Sequence, residues 1–266
     1  LTYTANWQVN SHKVTYTVDG ADKYSENAGY GAEVTLKADE TKTGYTFSGW
    51  KVTGAEAVED KFTMPDNDVT VSGTFAANTY TVKFDANGGD GEMADQSFTY
   101  DAEQALTANT FTKTGYTFSG WKNGNTTYAD KENVKNLTAE ANGVVTLVAQ
   151  WIVNQYTITF DLNGVPAASI DPITADYGTT ITAPADPTCE GYIFNEWDKA
   201  VPTTMPDEDI MITALWTSYF DLFGALENFE GDNLATAREY YSKMNEDQQG
   251  KLNTEESIIK YLIKIE

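Results

Sequence analysis

The chain has one cysteine, one histidine and one arginine among 266 residues. Each scarcity removes a class of chemistry. A lone Cys189 excludes a disulfide framework within the chain. The sole imidazole, His12, lies in the stretch Val9-Asn10-Ser11-His12-Lys13, which reads as a linker between structured segments. A nucleophile would have no base beside it there, and a zinc site would have no clustered Cys or His. Lys and Arg total 17 against 40 Asp and Glu, for a net charge of -23. No basic stripe exists to neutralise phosphate, so nucleic-acid partners are excluded. No apolar run approaches the length of a membrane span. No glycine-rich phosphate loop opens a helix. Initiator Met and signal peptide are both missing, so the chain reads as an excised fragment of something longer.

What is present in quantity is repetition. Gly-Tyr-Thr-Phe-Ser-Gly-Trp occurs at 44–50 and again at 115–121, with a drifted copy, Gly-Tyr-Ile-Phe-Asn-Glu-Trp, at 191–197. A repeat array must be recognised before any residue is given a function. The landmarks recur in one order. Each unit opens on an alternating strand: Val14-Thr15-Tyr16-Thr17-Val18-Asp19, Tyr80-Thr81-Val82-Lys83-Phe84-Asp85 and Tyr156-Thr157-Ile158-Thr159-Phe160-Asp161. Alternation puts one face in a core and leaves the other wet. Turns follow at Asp19-Gly20, Asn87-Gly88-Gly89 and Asn163-Gly164, pairs that tolerate positive φ. Next come Tyr30-Gly31, Tyr100-Asp101 and Tyr177-Gly178, and then the heptapeptide strand.

Each unit closes on a second alternating strand, Val69-x-Val71-x-Gly73-x-Phe75, Val145-x-Leu147-x-Ala149-x-Trp151 and Ile210-x-Ile212-x-Ala214-x-Trp216. The small residue two before the terminal aromatic is expected to make room for a ring packed across it. Leu1-x-Tyr3-x-Ala5-x-Trp7 has the same form, as the last strand of a preceding, truncated repeat. The expected organisation is therefore a stub at 1–10, repeats at 11–77, 78–152 and 153–217, and a different module at 218–266. All six tryptophans fall on repeat positions, so they are expected in cores rather than on a sugar-stacking platform.

At these residues the chain resembles the Listeria–Bacteroides repeat, also called the internalin B-repeat, over about residues 11–217. The resemblance is most specific where Phe84-Asp85-Ala86-Asn87-Gly88-Gly89 is followed by 115–121. Repeat 1 departs from it by lacking the Gly-Gly turn and ending in Phe75; repeat 3 departs with Glu196 before Trp197. The resemblance implies surface or secreted proteins of Gram-positive and gut bacteria, spacing and adhesion roles, no catalytic residues, and a small β-grasp with one helix across a mixed sheet. Residues 130–137 could supply that helix in repeat 2. Met64-Pro65-Asp66 and Met205-Pro206-Asp207 suit a loop or a first helical turn, not a long helix.

Beyond Trp216 the periodicity changes to helical, through Tyr219, Leu222, Phe223 and Leu226, then Leu234, Ala237, Tyr240, Tyr241 and Met244, then Ile258, Ile259, Leu262 and Ile263. The expected fold class is thus mainly β (α+β): tandem small β-grasp-like repeats with a C-terminal α-helical hairpin or three-helix cap. Ala237-Arg238-x-x-Tyr241-x-x-Met244 is similar to small helical modules of large Gram-positive surface proteins and secreted glycosidases.

Candidate sites are few. Paired carboxylates sit in turns, where solvent keeps both ionised, so no acid–base pair for hydrolysis emerges. Calcium would draw on Asp85, Asn87, Asp90 and Glu92, but Gly89 occupies a ligand position and turn chemistry explains the same residues. No cofactor and no metal is expected. Tyr24, Tyr30, Tyr128 and Tyr177 are candidate ligand contacts, with Lys51 and Lys122 beside the heptapeptide Trp. The leading expectation is a non-enzymatic, monomeric spacer or stalk in adhesion, extracellular and attached to the cell wall. The alternatives are a binding module for host glycoprotein, mucin or polysaccharide, and an accessory region of a large secreted carbohydrate-active enzyme.

Overall fold

The computed structural model describes residues 1–218. The chain divides into two compact units, one of residues 1–113 with 118–151, the other of 114–117 with Ile152 onward. Repeats 1 and 2 lie in the first. Repeat 3, with the tetrapeptide Thr114-Gly115-Tyr116-Thr117, lies in the second.

The alternating segments become strands, and their apolar faces are the buried ones. The opening strand Ser11–Val18 buries Val14 and Tyr16 completely. It turns through Asp19 and Gly20, at φ 52° and 83°, and returns antiparallel as Ala21–Gly29. Asp and Gly suit that turn because positive φ costs them little. On its other side the opening strand pairs in parallel with Val69–Gly73, in register Val14↔Val69 and Tyr16↔Val71. Lys51–Thr53 completes the sheet, antiparallel to Val69–Gly73. The spatial order is therefore return, opening, closing, heptapeptide side.

Repeats 2 and 3 keep that order. In repeat 2, Thr79–Asp85 lies between Gln96–Thr99 and Val144–Val153, and Tyr116–Asn123 and Thr126–Tyr128 follow on the far side. In repeat 3, Gln155–Asp161 lies between Ile173–Asp176 and Ile210–Ser218, with Tyr192–Trp197 outermost. A parallel central pair requires a crossover connection. In repeat 1 that crossover carries a second small sheet of Glu33–Thr35, Lys61–Thr63 and Ala57–Val58.

The α component of the expected fold is corrected at this point. Every regular element among the described residues is a strand. Residues 130–137, expected as a helix, instead contain the two-residue strand Asn133–Val134, paired with Gln104–Ala105. Positive φ at Lys131 and Asn136 (60° and 56°) interrupts any helix there. The described fold is mainly β. The helical hairpin or three-helix cap expected for 218–266 gains no support: Ser218 ends a strand, and the rest of that segment falls outside the described residues.

Each repeat has its own core. Repeat 1 gathers Val14, Tyr16, Val34, Phe62, Met64, Val69 and Val71; repeat 2 centres on Tyr80, Val82, Phe98, Trp121 and Leu147; repeat 3 on Ile158, Phe160, Met205 and Ile212. The heptapeptide spacing follows from how the rings pack. Phe and Trp three residues apart meet edge to face at centroid separations of 5.0, 4.9 and 5.2 Å in Phe47–Trp50, Phe118–Trp121 and Phe194–Trp197. Each Trp then contacts the opening-strand aromatic, Tyr16, Phe84 or Phe160, at 5.3, 4.8 and 5.3 Å. Such ring pairs each add ~0.5–1.5 kcal/mol beyond area burial. The small closing-strand residue has the role expected of it, since a Cβ on Gly73 would overlap the Phe47 ring.

Candidate functional site

The most elaborate local geometry lies where one repeat passes into the next. Within the first unit, Asn78 is the single residue between strands Phe75–Ala77 and Thr79–Asp85. All four of its hydrogen-bonding groups are used. Its N–H donates to the Gly44 carbonyl at 2.9 Å, and its own carbonyl accepts from the Tyr100 N–H at 2.8 Å. Its side-chain oxygen accepts from Thr46 Oγ1 at 2.6 Å, and its Nδ2 donates to the Ala139 carbonyl at 2.8 Å. Three of these partners belong to the Gly44-Tyr45-Thr46 strand and to Tyr100, so the linker is tied to both repeats.

Aromatic packing seals the junction. The ring of Tyr100 covers Gly44 where a side chain would stand. It meets Tyr45 edge to face at 5.9 Å, and Lys42 Nζ lies 3.5 Å from the Tyr45 centroid. Tyr45 donates its hydroxyl to Asp101 at 2.9 Å, and Asn136 Nδ2 reaches the same carboxylate at 2.8 Å. The Asn136 bond first, then the Tyr45 bond, hold the Asp101 carboxyl below its ordinary range. The same carboxylate pushes the Tyr45 phenol up.

The second unit contains the same device. Asn154 donates its N–H to the Gly115 carbonyl at 2.9 Å and accepts from the Tyr177 N–H at 2.9 Å; Thr117 Oγ1 reaches Asn154 Oδ1 at 2.6 Å. Tyr177 covers Gly115 as Tyr100 covers Gly44, and lies 6.2 Å from Tyr116. The linker asparagines were not singled out from the sequence. The signal was present, since Trp7-x-x-Asn10, Phe75-x-x-Asn78 and Trp151-x-x-Asn154 share one spacing.

The candidate tyrosines occupy different environments. Tyr24 is 38% exposed, sits edge to face on Tyr16 at 6.3 Å and lies under Lys23 and Lys37. Tyr30 is 60% exposed. Tyr128 is half-buried opposite Trp121 and packs on the repeat 2 core. Tyr177 is the junction ring of the second unit. Tyr128 and Tyr177 thus have packing roles of their own. A shallow cleft of about 190 Å³ beside Thr46, Asn78 and Asn142 is below the range of ligand pockets, ~300–1,000 Å³.

The carboxylates flanking the turns are engaged with the backbone. Asp85 Oδ1 accepts from the Asn87 N–H at 2.8 Å, and Asp161 does the same for Asn163 at 2.9 Å. Asn87 Nδ2 donates to the Ala149 carbonyl, and the main chains of Asp90 and Glu92 are held as well, Asp90 by a backbone bridge to Thr112 and Glu92 by a bond from Thr110 Oγ1 to its carbonyl. Among the described residues no group of three or more His, Cys, Asp or Glu could hold a metal ion. In the parallel sheets, Asp68 accepts from the Lys13 N–H and Asp209 from the Thr157 N–H, each at 2.7 Å. His12 is not on a free linker. It lies on the opening strand with Nε2 2.8 Å from Asp66 Oδ1, and that bond is the main reason the Asp66 carboxyl is lowered. Lys83 is exposed and 3.5 Å from Asp95. Cys189 is half-buried and bridges to Tyr192, as Lys42 bridges to Tyr45.

Residues 80–150 and 156–214 match the Listeria-Bacteroides repeat domain, and residues 10–79 match the divergent InlB B-repeat domain. These matches fall on repeats 2 and 3 and on repeat 1, in that order. A putative Gly-rich membrane protein of Evansella cellulosilytica is 32% identical over 225 residues, covering 75% of this chain and 26% of its own length. A putative membrane protein of the same organism is 29% identical over 203 residues, 74% of this chain and 29% of that one. Internalin H of Listeria monocytogenes is 34% identical over 126 residues, 45% of this chain and 20% of its own length. The chain thus spans between a fifth and a third of these relatives. Among solved structures, the Bacillus anthracis TIE protein has a TM-score of 0.36 at 11% identity, over 79% of this chain and 51% of that one. Domains 3-4 of the Streptococcal High Identity Repeats in Tandem from a cell surface protein have a TM-score of 0.21 at 12% identity, over 54% of this chain and 97% of that one. Neither likeness is close enough to argue from. Repeat domains of the two matched families are typical of bacterial surface proteins and are typically non-enzymatic. No helix among the described residues is long and apolar enough to cross a membrane.

Proposed function

We propose that this chain is a non-enzymatic repeat region of a bacterial cell-surface or secreted protein, acting as an elongated, monomeric spacer in adhesion. The observation that carries this reading is the junction at Asn78. One linker residue with four satisfied hydrogen-bonding groups and a ring locked over Gly44 favours a fixed angle between neighbouring repeats. Stiff coupling is what a spacer needs, because a flexible linker spans a distance that grows only as the square root of its length. Attachment to the cell wall belongs to the same proposal. Small-angle scattering tests it. A compact chain of this length has a radius of gyration of about 18 Å, and a spacer exceeds that clearly. A value at the compact figure rejects the reading.

A second reading, a binding module for host glycoprotein, mucin or polysaccharide, is favoured by Tyr24 and Tyr30, which are 38% and 60% exposed. A binding screen against mucin, matrix glycoproteins and a glycan panel at physiological salt separates the two. A saturable interaction weakened by Tyr24→Ala supports the module. Binding no greater than to an uncoated surface leaves the spacer.

A further inference from the structure

Asn-Gly occurs four times in the chain, at 87–88, 123–124, 142–143 and 163–164. The pair suits tight turns, and it also exposes the Asn side chain to attack by the main chain. Glycine has no Cβ to keep its nitrogen away from the Asn Cγ. A group held in a hydrogen bond must leave that bond before it reacts, so the fold decides which pair is open. Three are held. Asn87 Nδ2 donates to the Ala149 carbonyl at 2.9 Å in a half-buried site. Asn123 lies on a strand opposite Thr126, and its Nδ2 donates to the Thr146 carbonyl at 2.9 Å. At Asn142 the nitrogen that would attack is itself engaged, because the Gly143 N–H donates to the Glu140 carbonyl at 3.1 Å.

The fourth pair is open. Asn163 and Gly164 are exposed, at φ 55° and 74°. The Asn163 main-chain N–H donates to Asp161, but among the described residues neither its side-chain amide nor the Gly164 N–H has a hydrogen-bond partner. A Cβ on Gly164 would meet nothing within 4 Å, so water reaches the pair as well. The other repeats tie the turn residue to the closing strand. In repeat 1 Asp19 Oδ1 accepts from the Phe75 N–H at 2.9 Å, and in repeat 2 Asn87 reaches Ala149. Among the described residues repeat 3 has no such tie, yet its turn still carries a contact. The Leu162 carbonyl, next to Asn163, accepts from the Trp216 indole N–H at 3.1 Å and from the Val165 N–H at 3.2 Å. Trp216 in turn packs on Phe194 at 5.5 Å and Tyr192 at 6.4 Å.

We propose that Asn163 is a site of spontaneous covalent modification, with water as the co-reactant, and that its product releases the Trp216 clasp of repeat 3. The Gly164 nitrogen gives its proton to solvent base and forms a bond to Asn163 Cγ. The Cγ–Nδ2 bond breaks, and the side-chain nitrogen takes up a proton and leaves as ammonia. A five-membered imide remains. Water adds to one of its two carbonyls and breaks that carbonyl's bond to nitrogen. Attack at Cγ gives aspartate. Attack at the main-chain carbonyl gives isoaspartate, in which the chain runs through Cβ and Cγ. Nothing is oxidised or reduced. The isoaspartate form inserts a methylene into the main chain of a turn whose two residues both hold positive φ, and so draws the Leu162 carbonyl away from Trp216. Either product adds a negative charge two residues from Asp161. The modification follows from the turn of repeat 3 alone and holds whether the array spaces or binds.

The experiment ages the full chain in mildly alkaline buffer and follows all four Asn-Gly sites by peptide mass spectrometry. Labelling with an isoaspartyl methyltransferase separates isoaspartate from aspartate. A hydrogen bond of typical net strength changes the open population by roughly 3- to 10-fold, so Asn163 is expected to convert at least about 3-fold faster than Asn87, Asn123 and Asn142. In concentrated urea that lead is expected to vanish, because the fold sets it. A lead that persists in urea, or conversion at Asn163 no faster than at the three held sites, overturns the assignment. The clasp is read by NMR as solvent exchange of the Trp216 indole N–H, expected to rise at least about 3-fold in the isoaspartate form. Asn163→Asp carries the added charge on an ordinary main chain and should leave that exchange within about 2-fold of the parent. Unchanged indole exchange in the isoaspartate form, or an equal rise in Asn163→Asp, overturns the release.

Discussion

The ring of Tyr100 fills the space that a side chain on Gly44 would need. Gly44 is buried at φ 77°, so two separate penalties oppose any other residue there. Positive φ strains an L residue by ~1–3 kcal/mol, and overlap with a packed ring adds ~1–3 kcal/mol. Gly44→Ala is therefore expected to destabilise the chain more than Gly191→Ala, where φ is 83° but the Cβ would meet nothing within 4 Å. Urea unfolding of the two variants gives the comparison. In the Tyr100→Ala background the overlap disappears, and Gly44→Ala should cost only its φ strain. A Gly44 effect that is unchanged in that background would reject the ring–glycine contact.

The tryptophans separate by burial rather than by sequence position. Trp121 is fully buried, in ring contact with Phe84, Phe111 and Phe118. Trp121→Ala leaves a large cavity and is expected to cost ~3–5 kcal/mol. Trp7, at 92% exposure, should cost no more than ~0.5 kcal/mol as Trp7→Ala. Equal losses in thermal unfolding would mean that residues 1–7 are already packed in solution.

Period-2 patterning made most strands legible. Val14 and Tyr16, Val82, and Ile158 point inward where alternation puts them, because a half-buried strand obliges its side chains to alternate. Gly73 was also readable, since a small residue two before the terminal aromatic recurs as Gly73, Ala149 and Ala214, and at Gly73 a Cβ would overlap the Phe47 ring. The crossover was not legible. Asp130 and Glu132 look like a first helical turn, but Lys131 and Asn136 take positive φ and the segment pairs as strand. The junction was missed for a different reason. The aromatic-x-x-Asn spacing recurs at Asn10, Asn78 and Asn154, but Gly44, Thr46, Tyr100 and Ala139 lie far from Asn78 in the chain, so the spacing alone does not say what the Asn bonds to.

Acid should loosen the junction by way of Asp101. Its hydrogen bonds from Asn136 and Tyr45 lower the folded pKa beneath the ordinary value of 3.8. A depressed folded pKa means that the stabilisation is fully present above the unfolded value and is lost as pH falls through the folded one. Asp66, lowered chiefly by its bond from His12, acts in the same direction. Both carboxylates face solvent, so the effect is modest and shrinks with added salt. Melting temperatures followed from about pH 5 to pH 2 should fall less steeply for Asp101→Asn than for the parent chain. Parallel curves would remove Asp101 from the acid response.

Asn78 tests whether the linker is a joint or a clasp. Replacing it by Ala leaves the backbone bonds to Gly44 and Tyr100 but removes the side-chain bonds to Thr46 Oγ1 and to the Ala139 carbonyl. The Ala139 carbonyl loses a bond at a half-buried site, where a typical net loss is ~0.5–1.5 kcal/mol, and the exposed Thr46 bond adds less. Asn78→Asp retains an acceptor for Thr46 but sets a carboxylate against the Ala139 carbonyl, so it should be no better than Ala. Asn10→Ala is the control: its side chain makes an exposed bond to Asp66 at 3.2 Å, and the expected change is within ~0.5 kcal/mol. If the side chain clasps the two repeats, Asn78→Ala speeds amide exchange at Asn78, Thr46 and Tyr100 while the cores around Tyr16 and Trp121 keep their protection. If the junction is an inert joint, Asn78→Ala and Asn10→Ala are indistinguishable, and the stiffness that a spacer requires would have to come from the Tyr100 ring alone.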